Sequence, residues 1–352
     1  MKVLVTGANG LLGANIVREL VKRKYDVRIF TRETSDLSGL EDVNVERING
    51  DILDPDSIGK AVEGCDYVIH SAANTSQWPT NYIHYEPVNV TGTKHVINAV
   101  KKYAVKRFVF ISSANAFGNG TKEHPGTELN EFTGFKYGSG YMMSKFVAQQ
   151  TVLTEVEQSK LRAIVVNPTF MIGPYDSKPS SGQIIVMGMG KKVQVSPPGG
   201  KNFIHVNDAA IGTCNALMMG RIGECYLLAS ENLSYREFFA LLNQVTGETP
   251  KSLSLPGALL KTIGTGGTLF EKMSRKPAGL NLVNARLLCL DNYYTGKKAV
   301  KALELPQTPI ETAIREAIEW FRDNKPGLIS DFQAVAPSLQ STNEGQQKRG
   351  TK

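Results

Sequence analysis

Val5-Thr6-Gly7-Ala8-Asn9-Gly10-Leu11-Leu12-Gly13 (VTGANGLLG, residues 5–13) closes the apolar run that opens the chain, and its three glycines stand three apart. KVLVTG (2–7) reads as a short buried strand ended by glycine, and Leu11, Ile16, Val17 and Leu20 then recur at helical spacing. The triplet therefore sits between a strand and a helix. Gly7 can take the positive φ needed to leave the strand. Gly10 removes the Cβ that would keep a pyrophosphate away, and Gly13 lets the helix pack close to the sheet. Phosphates then rest on the free N–H groups of the helix N-terminus, where the helix dipole favours negative charge. In this setting the triplet points to a dinucleotide, with Asn9, Leu11 and Leu12 beside the glycines as contacts.

Strands and helices alternate downstream. DVRIFTR (26–32), VNVERINGD (43–51), CDYVIHSAA (65–73), KRFVFISS (106–113) and LRAIVVNP (161–168) read as strands; 56–62, 90–103 and 141–157 read as helices. Such alternation predicts the α/β class, a doubly wound parallel sheet (Rossmann) with right-handed crossovers. Residues 1–168 are the expected dinucleotide-binding domain, with 203–230 returning to it. The Gly- and Pro-rich stretch 169–202, together with 231–326, is the expected smaller C-terminal substrate-binding lobe. Thr308 as N-cap and Pro309 at the first helical position predict a final helix, with an apolar stripe from Ile310 to Phe321. Residues 327–352 turn polar and aperiodic and read as a disordered tail.

Composition narrows the partners. The net charge of +7 favours an anionic partner. No dense Lys/Arg run is interleaved with aromatics, which argues against nucleic acid. The five histidines show no ligand spacing, so no metal is expected. Cys65, Cys214, Cys225 and Cys289 lack CxxC spacing and read as reduced thiols. No stretch approaches the length of an apolar membrane span. MKVLVTG lacks the features of a signal peptide, so a cytoplasmic location is expected.

The second strand decides between dinucleotides. It ends Phe30-Thr31-Arg32-Glu33. An acidic residue here would hold the adenosine ribose 2′-hydroxyl of NAD, whereas Arg32 can pair with the 2′-phosphate of NADP. Arg32 favours NADP, and Glu33 keeps NAD open. Asp51 and Ile52, after the third strand, are placed to read the adenine edge; Asp51 also fits a turn or helix cap.

At this point the sequence resembles the extended short-chain dehydrogenase/reductases of the NAD-dependent epimerase/dehydratase family. The resemblance rests on VTGANGLLG (5–13), GDILD (50–54), HSAA (70–73), NVTGT (89–93), ISSANAFG (111–118), YMMSK (141–145) and NPTFMIGP (167–174), and it runs from Met1 to about Asn324. SQW (76–78) and ENLSYREFFALL (231–242) are similar to the dihydroflavonol-reductase/3β-hydroxysteroid-dehydrogenase-like branch, and also to bacterial hopanoid-associated sugar epimerases.

The chemistry centres on Tyr141 and Lys145, four apart and so on one helix face. A phenol is a poor base at neutral pH, and a nearby ammonium lowers its pKa. The resemblance implies that Tyr141 is the general acid/base, that Lys145 also binds the nicotinamide ribose, and that Ser113 hydrogen-bonds the reacting oxygen. Ser112 is a rival for the Ser113 role and a cofactor contact. Ala72, Ala73, Asn89, Pro168 and Thr169 are implied along the cofactor, and Asn89 can also fix the helix by bonding backbone. Where sugar-nucleotide 4,6-dehydratases carry an Asp-Glu pair, this chain has Ala114 and Asn115, which argues against that dehydration.

The leading expectation is an NADPH-dependent reductase of a ketone or aldehyde, its partner a small carbonyl or alcohol substrate. The second is a nucleotide-sugar epimerase with tightly held NAD, for which Lys191, Lys192 and Lys201 keep a diphosphate partner open. The third is a non-catalytic dinucleotide sensor, against which the intact Ser113, Tyr141 and Lys145 set argues. Met142, Met143 and Trp78 hint at an apolar pocket, though core is the commoner role for such residues. SLPGALLKTIGTGGTLFEKMSRK (254–276) could cover the substrate or touch a membrane surface; its glycines favour a lid or dimer contact. A homodimer is the default that the resemblance implies.

Overall fold

A computed structural model describes residues 1–329. The expected disordered tail lies largely outside them; its first residues form a single turn, Pro326–Leu328.

The N-terminal part winds β1 (Lys2–Thr6), α1 (Leu11–Lys22), β2 (Asp26–Thr31), β3 (Glu46–Asn49), α2 (Pro55–Val62), β4 (Tyr67–His70), α3 (Gly92–Lys102), β5 (Arg107–Ile111), α4 (Gly140–Ser159) and β6 (Ala163–Pro168). After it come β7 (Phe170–Ile172), α5 (Gln183–Gly188), β8 (Val193–Ser196), β9 (Gly200–His205), α6 (Val206–Asn215), β10 (Cys225–Leu228), β11 (Glu231–Ser234) and α7 (Tyr235–Thr246). The described chain ends with β12 (Lys251–Ser254), α8 (Gly257–Ser274), α9 (Leu282–Leu288), β13 (Asp291–Asn292), α10 (Lys297–Leu303) and α11 (Ile310–Asn324).

Seven strands form one parallel sheet in the order β10-β6-β5-β4-β1-β2-β3. The period of two sorts each strand between two cores. Val3 and Val5 of β1 face α1 and α6, while Leu4 faces the layer of α2, α3 and α4. Both faces are covered, which is why these strands read as continuous apolar runs. The order reverses between β1 and β4, the crevice where open α/β sheets bind ligands.

The remaining strands build a small sheet in which β9 pairs with β7, β11 and β13, and a two-stranded pair of β8 with β12. Phe203, Phe238, Ile314 and Phe321 join the small sheet to α7 and α11 in a separate core. Two expectations divide here. Of the segment 203–230, α6 and β10 join the large sheet's layers, but β9 belongs to the small sheet. From the expected lobe, α10 crosses back: Ala299, Leu303 and Leu305 are buried in the core under α1 and α6.

Thr308 does not cap the last helix. Its N–H and Oγ1 donate to the Asp208 carboxylate at 2.7 and 2.9 Å, and the freed helix N-terminus at Ile310 donates to Glu231 Oε1 at 2.9 Å. A carboxylate at that end also suits the helix dipole. All four cysteines are free. Among the described residues no helix is long and apolar enough to cross a membrane.

Candidate active site

A cleft of about 710 Å³ runs along the C-terminal edge of the large sheet. It begins at the glycine turn. Gly7 has φ +68°, and a Cβ there would lie 2.6 Å from the backbone N of Ala72. A Cβ on Gly13 would collide with the Gly7 carbonyl. Gly10 differs: among the described residues, its chain neighbours aside, its Cβ position meets only the Gly7 carbonyl oxygen at 3.5 Å, an ordinary contact. So two glycines serve the packing of the turn, and the third leaves space toward the cleft. The first bond from inside α1 back to the turn is Ala14 N–H to Gly10 O at 2.9 Å. The N–H groups of Leu11, Leu12 and Gly13 precede it at the open end of the helix.

Asn9, Gly10, Leu11, Leu12, Arg32, Asp51, Ile52, Ala72, Ala73, Ser112, Ser113, Tyr141, Lys145, Pro168 and Thr169 all line this cleft, with Gly7 and Gly13. Arg32 is exposed on its wall, and the neighbouring Glu33 is not among the lining residues. Asp51 is also a turn residue: its Oδ1 accepts from Leu53 N at 2.9 Å.

Asn89, expected along the cofactor, is not among the lining residues and stands behind the wall. It sits on a wide turn (Pro87–Thr91) before α3. Its Oδ1 accepts from Asn74 N at 2.6 Å, and its Nδ2 donates to Asn74 O at 3.1 Å and Ser144 Oγ at 2.8 Å. It thereby ties the loop after β4 to α4.

Ser113 follows β5 and Tyr141 and Lys145 project from the first turns of α4, whose start is capped by Ser139 Oγ accepting from Met142 N at 3.3 Å. Lys145 is buried and donates through Nζ to Ile111 O at 2.6 Å, with the Phe110 ring 5.0 Å away. Burial pushes its pKa down to about 7. The sequence expectation that the ammonium would depress Tyr141 is not met. Burial raises the Tyr141 phenol, a hydrogen bond with Ser113 opposes this, and Tyr85 adds to the rise. Lys145 spends its proton on a carbonyl, and its own charge is disfavoured by burial. Ser113 Oγ also accepts from Asn115 N at 3.2 Å. Its rival Ser112 has a buried hydroxyl without a partner among the described residues.

Beneath the turn lies His70, fully buried and held to neutrality by burial first and Lys145 second, its pKa pushed down to about 3. Its Nδ1 is 2.7 Å from Thr6 Oγ1 and its Nε2 is 3.1 Å from Thr93 Oγ1. Thr93 Oγ1 donates to Asn89 O at 2.7 Å, which leaves Nε2 as the protonated nitrogen and Nδ1 as acceptor from Thr6.

Other expectations resolve differently. Met142 is core, packed with Phe132 and Tyr137. Neither Trp78 nor Lys191, Lys192 and Lys201 line the cleft, and no residue of α8 does. Lys201 Nζ sits 5.0 Å over the Phe170 ring, its pKa lowered by burial to about 8. The sequence reading missed Asp176, Lys178 and Ser180, which line the cleft from the loop after β7. Only the three-dimensional return of that loop, seen in the Asn15 Nδ2 bond to Pro174 O at 3.0 Å, brings them to α1.

The sequence pattern of the NAD dependent epimerase/dehydratase family matches residues 3–229, and the chain belongs to that family. A Synechocystis sp. protein with the provisional name dihydroflavonol 4-reductase is 30% identical over 91% of this chain and 94% of its own. Sterol demethylase protein B of Methylococcus capsulatus is 31% identical over 94% of this chain and all of its own. The crystal structure of gox2253 superposes with a TM-score of 0.80 at 30% identity, covering 92% of this chain and 98% of that one. Reductases and sugar-nucleotide enzymes both occur among further relatives.

Proposed function

We propose that this protein is an NADPH-dependent reductase of a ketone or aldehyde, reversible with cofactor supply. The observation that supports it is one continuous cleft with Arg32 on its wall and Ser113, Tyr141 and Lys145 together among its lining residues. The glycine turn, the open end of α1, Arg32, Asp51 and Ile52 would hold the dinucleotide, with Ala72, Ala73, Ser112, Pro168 and Thr169 along it. Bound NADPH would supply the hydride. Tyr141, its phenol raised by burial, keeps its proton at neutral pH and delivers it to the substrate oxygen from Oη. Ser113 donates to the same oxygen. Lys145, anchored on Ile111 O at 2.6 Å, would bind the nicotinamide ribose. Neither Ala114 nor Asn115 can act as acid or base; Asn115 Oδ1 accepts from Asn292 Nδ2 at 3.2 Å.

The second reading is a nucleotide-sugar epimerase holding NAD, which family membership admits. Nicotinamide fluorescence on titration with NADPH and NADH separates the two. Tighter NADPH binding is expected, followed by turnover of ketones or aldehydes, sterol ketones among them because of the Methylococcus relative. A stoichiometric load of NAD in the purified protein would reverse the choice. We also propose a homodimer through α4, whose outer face carries a shallow groove lined by Phe146, Val147, Thr151 and Thr154; light scattering on the eluted protein tests it.

A further inference from the structure

We propose that Lys178, on the loop between β7 and α5, is a cationic clamp on the pyrophosphate of the bound dinucleotide. The assignment rests on the dinucleotide reading of the cleft and adds to it a residue from beyond the large sheet. At the glycine turn the cleft offers the open N–H groups of Leu11, Leu12 and Gly13. A pyrophosphate brings a negative charge on each phosphate, while a helix end supplies roughly half a unit of positive charge. Three cations line the cleft among the described residues: Arg32, Lys145 and Lys178. Lys145 is held on Ile111 O at the catalytic end. Arg32 follows β2, the strand whose end meets the adenosine ribose in this architecture. Lys178 is left to meet the charge at the turn.

The loop is built over that turn. Asn15 of α1 donates through Nδ2 to Leu11 O at 2.8 Å and to Pro174 O at 3.0 Å, which fixes the start of the loop to the first turn of the helix. Ser177 Oγ then donates to Asn9 O at 3.4 Å, within the glycine turn itself. Lys178 is the next residue. Between the two anchors Tyr175 holds φ +70°, a left-handed backbone that is costly without glycine. Packing keeps it there: the Arg18 guanidinium lies 3.8 Å from the centre of its ring, and the Trp320 ring lies 6.1 Å away.

Asp176 turns the chain back beyond Lys178. Its Oδ2 accepts from Ser180 N and Gly182 N at 2.9 and 3.0 Å, and its Oδ1 accepts from Ser180 Oγ at 2.9 Å. These bonds pin both flanks of Lys178, and they engage the carboxylate closest to it in the loop. Asp176 and Ser177 are buried, whereas Lys178 is exposed and joins no ion pair among the described residues. A compact ammonium on a flexible stem suits a pyrophosphate, where one point charge serves two phosphates.

The test is fluorescence titration of the full chain with NADPH and with NADH, and displacement of either by ADP-ribose, which keeps the pyrophosphate and lacks the nicotinamide. Lys178→Gln should weaken all three by about tenfold, the worth of one charge-assisted contact. The deficit should shrink as salt is raised, and Lys178→Arg should restore most of the affinity; lost loop packing would produce neither effect. Thermal melts without cofactor should match the parent's, since the side chain is exposed. Parent-like affinities in Lys178→Gln overturn the clamp. A loss confined to NADPH also overturns it, by assigning Lys178 to the 2′-phosphate, and so does a loss that spares ADP-ribose. A parent that prefers NADH would reverse the choice of cofactor, and the Lys178→Gln comparison would still decide the clamp, because both dinucleotides carry the pyrophosphate. A parent that binds none of the three would reject the dinucleotide reading and the clamp with it.

Discussion

Asn89 and Ser144 are joined by a buried hydrogen bond of 2.8 Å, and through it the glycine turn is connected to the helix that carries Tyr141. The path runs from Thr6 through His70 and Thr93 to Asn89, then to Ser144, whose Oγ donates to Tyr141 O at 2.8 Å. Thr6, His70, Thr93, Asn89 and Ser144 are all buried, so a misplaced proton is costly.

His70 therefore sets a pH dependence. Its native pKa is pushed from 6.5 down to about 3. Between these values the unfolded chain binds the proton and the native chain does not. The stability held above pH 6.5 is thus lost progressively as pH falls toward 3, at about 1.4 kcal/mol per pH unit. Unfolding free energies from urea titrations at pH 6.5 and pH 5 should differ by roughly 2 kcal/mol more in the parent than in His70→Gln. Equal slopes in the two proteins would show that His70 does not titrate this way.

The glycines separate fold from binding. Gly13→Ala drives a methyl into the Gly7 carbonyl, and the prediction is a loss of several kcal/mol or failure to fold. Gly10→Ala, at φ −88°, should keep stability within about 1 kcal/mol while weakening dinucleotide binding at least about tenfold. Thermal melts paired with fluorescence titration check both. An alanine at 10 that binds NADPH normally would remove Gly10 from the phosphate site.

Arg32→Ser should weaken NADPH binding by about tenfold to a hundredfold, the worth of a charge-assisted hydrogen bond, and leave NADH within about twofold. Parallel titrations decide it. A matched loss for both cofactors would mean that Arg32 does not read the 2′-phosphate.

Tyr141→Phe should retain NADPH affinity and lose turnover by a factor of about 10² to 10⁴. Steady-state rates on a ketone identified by screening provide the measurement, and a rate near that of the parent would reject Tyr141 as proton donor.

The large sheet was legible because its strands are buried on both faces and read as unbroken apolar runs, with VTGANGLLG marking the first crossover. Tyr141 and Lys145 were legible because both lie on one helix. What the sequence could not carry is where separate segments meet. Lys178 reaches the cleft through a loop that returns to α1, and Asn89, on the turn before α3, bonds Ser144 of α4. The sign at Tyr141 was missed for a physical reason: Lys145 turns to the Ile111 carbonyl, and burial outweighs charge. Thr308 looked like a cap because local pattern does not show the distant Asp208.

The chain passes between the two sheets repeatedly: β6 leads to β7, β9 leads to α6 and β10, and α10 returns to the first core before α11 joins the second. No single cut would release either half as a self-sufficient piece. Swapping the smaller half wholesale between relatives would leave α6, β10 and α10 as gaps in the nucleotide-binding half. New substrate preferences in this architecture must then arise by changing loops and side chains in place, with both halves inherited as one unit.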